Sequence, residues 1–513
     1  MKKVVIIGAG YGGIALANIL GKKGYEVHVY EKNQQPGGRV GSFKDDGYTF
    51  DTGPSWYLMP EVFDKYYELF GKNPQDELDL QRLTPGYTVF FENNPPISIK
   101  GNLEEDSATF ESIEPGAGEA LWQYVEKSSL TYSIALRHFL YSNFSGLGDF
   151  FKKEVFAHAF SMLRLISQNL DTYVSRKFRD QRLKQILEYH MVFLGSSPFQ
   201  APALYSLMST LDFKSGVFYP GKGMYSLIES LVGLGKPYNV TYHYSSDVGS
   251  IDVADGFAQG ITLTNGEHVD ADIVVSNADL HFTETALVPR DYSSYPESYW
   301  KRRQPGPSAL LMFIGVEGEL PMLTHHTLLF VDSWRENFSA IYKNGTLPQP
   351  ASLYICNPSK TDPSLAPKDH ENLFVLVPLP AGVPLAEDQL EQLADEYVDQ
   401  ISQMIHVDNL SERITYRACY GPDDFEIDYN SWLGGALGGQ SHLLKQSAIF
   451  RTPNKSKKVK NLYYVGAGTT PGIGLPMCLI SAQLVAKRIL GDKSSGPLTD
   501  DEPVSVGEEI NDA

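Results

Sequence analysis

The chain begins with short apolar runs separated by a helical repeat. Residues 4–7 (Val-Val-Ile-Ile) form a β-branched run of strand length, which is typical of a buried parallel strand. Residues 14–21 have the pattern of a helix, which the turn at 22–24 ends. Residues 25–30 then predict a second strand, with Glu31 at its end. The order strand, helix, strand predicts the first unit of an α/β fold.

Similar patterns return in the middle and at the end of the chain. The Asn265-Gly266 pair is a strong signal for a β-hairpin turn. Further strands are predicted at 240–244, 248–253, 271–275 and 461–465, and helices at 225–234 and 477–490. These elements predict one domain that is split in sequence over about residues 1–75, 216–290 and 440–492.

Two long insertions separate the parts of this domain. The first, about 76–215, is aromatic and rich in helical patterns. The second, about 291–439, alternates strand-like runs with helices, which predicts an α+β domain with a sheet floor and helices above it. Residues 493–513 have no basic residue after Lys493 and many acidic ones, which predicts a disordered tail.

Composition narrows the possible functions. The formal net charge is −19, which excludes general nucleic-acid binding, because phosphate contacts need clustered Lys and Arg. The cysteines Cys356, Cys419 and Cys478 form no CxxC pair, so we expect neither a zinc site nor a disulfide framework. This usage fits a reducing cytoplasm. His325-His326 lacks spaced partners, and no metal is expected.

The pattern of apolar residues argues against both a signal peptide and a membrane-spanning helix. Lys2 and Lys3 precede an apolar stretch over 4–20 that resembles a signal peptide, but four glycines interrupt it. No other run reaches the roughly 18 apolar residues of a spanning helix.

The glycines after the first strand carry the first chemical signal. Gly8 permits a tight turn, Gly10 lets the backbone approach a pyrophosphate, and Gly13, after Gly12, lets helix and strand pack closely. The helix start offers free N–H groups to the phosphates. Glu31 is positioned to accept hydrogen bonds from an adenosine ribose. The sequence therefore predicts a dinucleotide-binding turn.

A second glycine-rich loop lies between the strand at 461–465 and the helix at 477–490. We expect its N–H groups to face another charged part of the cofactor. Its predicted binding residues are Gly466, Ala467, Gly468, Gly472 and Gly474.

The whole set of motifs resembles the bacterial-type phytoene desaturases, in the carotenoid dehydrogenase family of FAD-dependent oxidoreductases. The resemblance covers roughly residues 1–490. It is carried by the first glycine turn and by Pro36-Gly37-Gly38-Arg39, Asp51-Thr52-Gly53-Pro54, Gly221-Lys222-Gly223-Met224 and the loop from Gly466 to Pro476. It implies a Rossmann-like FAD-binding domain and non-covalently bound FAD.

The resemblance also implies roles for single residues. Gly38 lets the chain pass close to the flavin, and Arg39 faces the phosphates or the ring edge. Asp51, Gly53 and Pro54 belong to the same cofactor-binding continuation, and the Val248 backbone meets the adenine. Asp180 and Lys184 match by position a polar cluster near the flavin in relatives, and they are candidate acid–base residues.

The implied activity is desaturation of phytoene towards lycopene, with hydride transfer to flavin and reoxidation by a quinone or oxygen. Dehydrosqualene desaturation, later 3,4-desaturation, ketolation of carotenoids and, in another class, amine oxidation remain alternatives. Where a wider group of flavoenzymes has an acid, Thr469-Thr470 stands here, which argues against a generic oxidase. Pro476-Met477-Cys478 departs from the commoner small residues.

A hydrocarbon substrate needs an apolar tunnel and access to lipid. Candidate tunnel residues are Phe193, Phe199, Tyr205, Phe213, Phe218 and Trp432. Residues 151–170 carry an apolar helical stripe, and residues 151–184 hold eight basic against three acidic residues. We therefore expect a cytoplasmic protein that is bound peripherally to the inner face of the cell membrane through this helix.

Overall fold

A parallel sheet of five strands forms the first layer of the computed structural model, which describes residues 1–143 and 153–500. Its strands lie in the order Leu462–Tyr464, Ile273–Ser276, Lys3–Ile7, Glu26–Tyr30 and Val240–His243. All four neighbouring pairs are parallel. The sheet joins strands from distant parts of the sequence, and the predicted α/β class is confirmed.

The helix that follows the first strand is buried almost all round. Tyr11–Lys22 packs against Leu475–Leu490 and Ser226–Gly235. Its residues Ile14, Leu16 and Leu20 are fully buried, as expected for a helix enclosed by other elements rather than one on the surface. These contacts join the first glycine turn and the C-terminal glycine loop in one body.

A mixed sheet of seven strands forms the second layer. Its order is Ile414–Tyr420, Ser308–Glu317, His370–Leu379, Leu353–Cys356, His326–Phe330, Tyr87–Phe91 and Ile97–Ile99. The strand-like runs predicted in the second insertion correspond to three of its strands, which are Ser308–Glu317, His326–Phe330 and His370–Leu379. Tyr87–Phe91 and Ile97–Ile99 were not predicted and come from the first insertion, so this sheet combines both insertions.

Three small antiparallel units complete the sheets. They are Val248–Ala254 with Phe257–Leu263 and His268–Asp270, Ser42–Asp45 with Tyr48–Asp51, and Leu80–Arg82 with Phe218–Pro220. The turn at Asn265-Gly266 lies between Phe257–Leu263 and His268–Asp270 as predicted.

The helices cover both sheets and fill the first insertion. The α-helices are Tyr11–Lys22, Pro60–Glu68, Pro74–Leu78, Leu103–Ile113, Ala117–Ala135, Lys153–Ile166, Leu170–Ser175, Gln181–Glu188, His190–Phe193, Ser226–Gly235, Leu280–Phe282, Glu297–Trp300, Trp334–Ser339, Glu387–Met404, Pro422–Tyr429 and Leu475–Leu490. Shorter helical turns include Leu136–Leu140, Ala203–Met208, Leu211–Ser215, Trp432–Gly434, Leu444–Gln446 and Ala448–Phe450. No helix of the described segments is long and apolar enough to cross a bilayer.

The helix proposed for membrane contact differs from its prediction. It runs from Lys153 to Ile166, and a new helix starts at Leu170, because the Asn169 side chain accepts a hydrogen bond from the Thr172 N–H. The prediction of one continuous helix with an apolar stripe over 151–170 is therefore wrong, since the first helix ends at Ile166. Leu165, outside that stripe, is buried, whereas Leu163, inside it, is 63% exposed. Residues 151 and 152 lie outside the described residues.

The predicted disordered tail over 493–513 is wrong for residues 493–500. Leu498 is buried, and its N–H donates to the Gln483 side chain at 2.9 Å. The Lys487 ammonium donates to the carbonyls of Ser494 and Gly496. Residues 493–500 thus pack on the last helix, and residues 501–513 lie outside the described residues.

Candidate FAD site

The first glycine turn is as crowded as a dinucleotide turn requires. Gly8 has φ +93°, which glycine adopts without a steric penalty. A Cβ on Gly13 would lie 2.5 Å from the Gly8 carbonyl oxygen, and one on Gly10 would lie 2.5 Å from Asn277 Nδ2. A Cβ on Gly12 would lie 3.0 Å from the Gly466 Cα. The turn, the helix and the second glycine loop therefore meet at backbone distance.

Glu31 holds the turn from the next strand. Its carboxylate accepts the Ala9 N–H at 2.8 Å and the Asn33 N–H at 2.9 Å. Burial raises the pKa of Glu31, and these two hydrogen bonds partly offset that rise. The carboxylate thus lies beside the turn, at the position where it is expected to accept hydrogen bonds from the ribose of the cofactor.

Arg39 is a half-buried cation at the junction of three segments. It donates to the Ser431 hydroxyl and, at 3.2 Å, to the Gly435 carbonyl. Its Nε is buried and has no hydrogen-bond partner among the described residues. A buried donor of this kind is costly unless it meets an acceptor. The orphaned N–H therefore fits an anionic or carbonyl-rich ligand.

The predicted binding residues after Arg39 have two kinds of contact: Gly53 meets the backbone of Arg39, whereas the Asp51 side chain bonds to a different segment. A Cβ on Gly53 would collide with the Arg39 carbonyl oxygen, so the segment that contains Gly53 and Pro54 crosses the one after Gly38 at backbone contact. The Asp51 carboxylate accepts the N–H groups of Met224 and Tyr225 and the Tyr219 hydroxyl. Asp51 therefore joins this crossing to the 219–225 segment.

Val248 lies at the start of its strand, with its side chain buried in the cluster that contains Ile7 and Tyr30. Its neighbourhood is the end of the parallel sheet next to Glu31, since the Ser246 N–H donates to the Glu31 carbonyl. The side chain is thus ordinary core, as the sequence analysis expects, and the adenine contact of its backbone stays a prediction.

A single arginine organises the C-terminal glycine loop. Arg451 is 3% exposed and donates to the carbonyls of Thr469 at 3.0 Å, Gln440 at 3.3 Å and Ala467 at 2.8 Å. Burial lowers its pKa to about 10. Arg451 is a residue that sequence reasoning did not assign to the site, and the run Phe450-Arg451-Thr452-Pro453 before the loop was the signal available.

Asn277 is the second residue that sequence reasoning missed. It ends the strand Ile273–Ser276, and its side chain lies between Gly10, Gly12 and Gly466. Its backbone N–H donates to the Ile7 carbonyl. A polar residue directly after a buried strand of the same sheet was the available signal, since strand ends of a parallel sheet share one edge.

Asp180 and Lys184 are not brought to these loops by any described contact. Asp180 caps the helix Gln181–Glu188 by accepting the Arg182 N–H, and its carboxylate pairs with the Arg182 guanidinium at 2.8 Å. Capping places this carboxylate at the helix start, where it meets the Arg182 guanidinium. A catalytic role for either residue stays a prediction.

An apolar cavity lies between the helical insertion and the seven-stranded sheet. Among its lining residues are Tyr189, Phe193, Leu328, Trp334, Leu376 and Leu437. It adjoins the glycine loops, because Gly438, next to Leu437, contacts Arg39, and Gly439 contacts Gly468.

The six aromatic candidates for a tunnel have different surroundings. Phe193 lines the cavity, and Phe199 packs on Phe338, which also lines it. Tyr205 binds His442 and Ser447 beside the C-terminal loop. Phe213 packs on Phe110, Phe218 pairs with Tyr57 and Arg82, and Trp432 packs on Trp300. Of the six, Phe193 alone is among the residues that line this cavity in the described part of the chain.

The two loops together fit a dinucleotide. The helix Tyr11–Lys22 starts at Gly10 without a side-chain cap, so its first N–H groups are available to phosphate oxygens. Glu31, the orphaned Arg39 donor and the loop held by Arg451 surround the same start. These residues would hold FAD.

Comparison with known proteins gives the family. Residues 11–490 match the family described as flavin containing amine oxidoreductase. The chain is 40% identical over 490 residues to a carotenoid 3,4-desaturase of Haloarcula japonica, covering 95% of this chain and 98% of the relative. It is 32% identical to a zeta-carotene-forming phytoene desaturase of Myxococcus xanthus, covering 95% and 94%.

Solved structures show the same fold at low sequence identity. An oxidoreductase from Methanosarcina mazei superposes with a TM-score of 0.61 at 17% identity, covering 94% of this chain and all of that one. Putrescine oxidase bound to putrescine gives a TM-score of 0.60 at 14% identity, covering 96% and 99%. The family match and the desaturase relatives confirm the expected cofactor. The chain belongs to the flavin containing amine oxidoreductase family and, within it, to the carotenoid desaturases, which are FAD-dependent oxidoreductases acting on CH–CH bonds.

Proposed function

We propose that this chain desaturates an acyclic carotenoid, and that phytoene is a substrate. The observation that carries the proposal is the apolar cavity whose wall at Ala436 and Leu437 continues into Gly438 and Gly439, beside Arg39 and Gly468. A hydrocarbon offers no polar handle, so an apolar cavity beside the cofactor loops is what alignment of a C–H bond requires.

Bound FAD supplies the hydride acceptor for such a reaction. The residues of the chain bind the substrate, orient it and exclude water. Phe193, Phe330 and Trp334 supply apolar wall, and polar groups in the wall are already bonded, as when Ser308 donates to the Gly434 carbonyl. A wall that is mostly apolar favours a hydrocarbon over an amine, and a quinone or oxygen would then reoxidise the flavin.

A second substrate is favoured by the relative at 40% identity, which is named a carotenoid 3,4-desaturase. Its similarity exceeds that of the phytoene desaturases of Myxococcus xanthus at 32% and Fusarium fujikuroi at 31%. We therefore treat 3,4-desaturation of a more unsaturated acyclic carotenoid as the alternative to phytoene conversion.

Pigment analysis in two hosts separates these activities. In a host that accumulates phytoene, expression of the chain is expected to give longer conjugated polyenes, read by chromatography with absorbance spectra. In a host that accumulates lycopene, a 3,4-desaturase would extend the chromophore further. If phytoene persists while lycopene is converted, the alternative is right. If both pigments persist in cells whose purified protein carries flavin, the proposed function is wrong.

We also propose that the helix Lys153–Ile166 meets the membrane surface. Phe160 and Leu163 are 82% and 63% exposed and lie three residues apart, hence on one face. The helix packs against Ala203–Met208, where Tyr205 bonds with Ser447, and the nearby Ile449 and Phe450 are also exposed. This chain of contacts connects an exposed apolar face to the C-terminal glycine loop.

Replacing both Phe160 and Leu163 by Ser is expected to weaken binding to anionic liposomes by about a hundredfold or more, since the two side chains together contribute roughly 3–6 kcal/mol when buried and about 1.4 kcal/mol is a factor of ten. Co-sedimentation at low and high salt measures this. Ile427→Ser is the matched control, because Ile427 is 69% exposed on another helix, Pro422–Tyr429. Equal liposome binding by the double variant and the parent would exclude this helix as the membrane contact.

A further inference from the structure

Behind the cofactor loops lies a buried cluster of three ligand-type side chains. His326 and Cys356 are direct partners in the antiparallel pairing of His326–Phe330 with Leu353–Cys356, so their side chains lie on the same face of the sheet. His325 precedes them, and its ring centroid lies 4.5 Å from that of His326. One ring nitrogen of each imidazole and the Cys356 Sγ lie within 4.8 Å of one another.

Each imidazole is held through one nitrogen and leaves the other without a protein partner. His325 Nδ1 lies 2.6 Å from the Thr361 hydroxyl, and His326 Nδ1 lies 2.7 Å from the Tyr354 hydroxyl. Both Nε2 atoms are buried and have no hydrogen-bond partner among the described residues. The residues are only 5% and 0% exposed. Two unsatisfied ring nitrogens side by side in a core call for a shared ligand.

The pattern matches how histidines bind metal ions. A ligating imidazole usually donates its other N–H to an oxygen, which fixes the tautomer and aims the free lone pair at the ion. In both rings the Nδ1 atom meets a hydroxyl oxygen, which leaves Nε2 to face an ion. Two imidazoles and a thiolate are ligands that suit zinc, whereas magnesium and calcium need oxygen ligands.

We propose that His325 Nε2, His326 Nε2 and Cys356 Sγ bind one zinc-class divalent cation. The Cys356 thiol loses its proton to solvent when the ion binds, and no electron is transferred. The thiolate and the buried Asp51 carboxylate, which interacts electrostatically with Cys356, then balance the two positive charges. The three side chains leave one position of a tetrahedron for an oxygen ligand.

The position of the cluster gives the ion a structural role. Tyr354, which bonds with His326, also lines the apolar cavity. Ser55 interacts with Cys356 and donates to the Gly53 carbonyl, in the segment that crosses behind Arg39. A cation here would brace the wall of the cavity against the cofactor loops.

Metal content of the FAD-loaded protein tests the proposal. The full chain is produced in zinc-supplemented medium, dialysed against metal-free buffer and analysed by elemental mass spectrometry with protein quantification. We expect about one zinc ion per chain in the parent, and at least about tenfold less in Cys356→Ser and in His326→Gln, because loss of one of three protein ligands abolishes tight binding. Replacement by Co²⁺ should give a thiolate charge-transfer band in the difference spectrum, absent from Cys356→Ser.

Cys419→Ser is the matched control, since Cys419 lies on the edge strand Ile414–Tyr420 of the same sheet, outside the cluster. Flavin content and melting temperature report whether each variant folds. Parent protein without bound zinc, or equal zinc in the parent and the Cys356 variant, would overturn the proposal and leave a buried water as the partner of the two nitrogens. Zinc content does not depend on carotenoid turnover, so a negative result for zinc would leave the proposed desaturase activity untouched.

Discussion

Gly13→Ala is expected to lower the affinity for FAD by about tenfold or more, because a shift of 1.4 kcal/mol is a factor of ten and overpacking typically costs 1–3 kcal/mol. The new Cβ would lie 2.5 Å from the Gly8 carbonyl oxygen and 3.1 Å from the Asn277 Cβ. Neither neighbour is the end of a flexible side chain. The helix and the turn must therefore separate, which moves the N–H groups that face the cofactor.

The measurement is flavin absorbance per chain after gel filtration, followed by titration of FAD into the stripped protein. Gly233→Ala is the matched control, since a Cβ there meets nothing within 4 Å. Gly233 lies in the helix Ser226–Gly235, where Ala is the better helix former, so this variant should keep its flavin and melt no lower than the parent. Parental FAD affinity in Gly13→Ala would contradict the assigned role of the turn.

The glycine turn was predictable because its signals are local. Val4 to Glu31 carry the strand, turn, helix and acid within one short stretch, and the structure has them in that order. Asn277 was not predictable in the same way, because its contacts with Gly10 and Gly466 join residues that are far apart in the chain. Only the pairing of the strands, which the sequence does not display, brings them together.

Local side-chain hydrogen bonds decide where two helices of the first insertion begin. Asp180 stands just before a helix and caps its first N–H groups. The long stripe over 151–170 overlooked Asn169, a good N-cap, which starts a second helix. In both cases a short polar side chain decided where the helix begins.

The missed strand Tyr87–Phe91 has a different cause. Its residues are aromatic or β-branched and fully suited to a strand, yet the surrounding insertion is dominated by helical patterns. Its parallel partner is His326–Phe330, more than two hundred residues later. The pairing of the two insertions in one sheet is a tertiary fact that neither segment carries alone.

Arg451→Leu is expected to destabilise the C-terminal glycine loop enough to abolish flavin binding. The guanidinium is the partner of three carbonyl groups, from Thr469, Gln440 and Ala467. Each buried carbonyl left without a donor costs about 1–3 kcal/mol, so the loop loses several kcal/mol of support. Thr469 and Ala467 lie in the loop itself, which would no longer keep its backbone N–H groups in place.

Arg451→Lys tests whether charge alone is sufficient. A lysine ammonium is a compact point charge and lacks the planar fork with which the guanidinium reaches three carbonyls. We therefore expect intermediate flavin content and a melting temperature between those of the parent and Arg451→Leu. Arg413→Leu is the control, because Arg413 also donates to two backbone carbonyls, of Glu317 and Glu319, but in an exposed position far from the loop in sequence. If Arg451→Leu retains parental flavin content, the loop is held by its own backbone, and Arg451 only fills space beneath it.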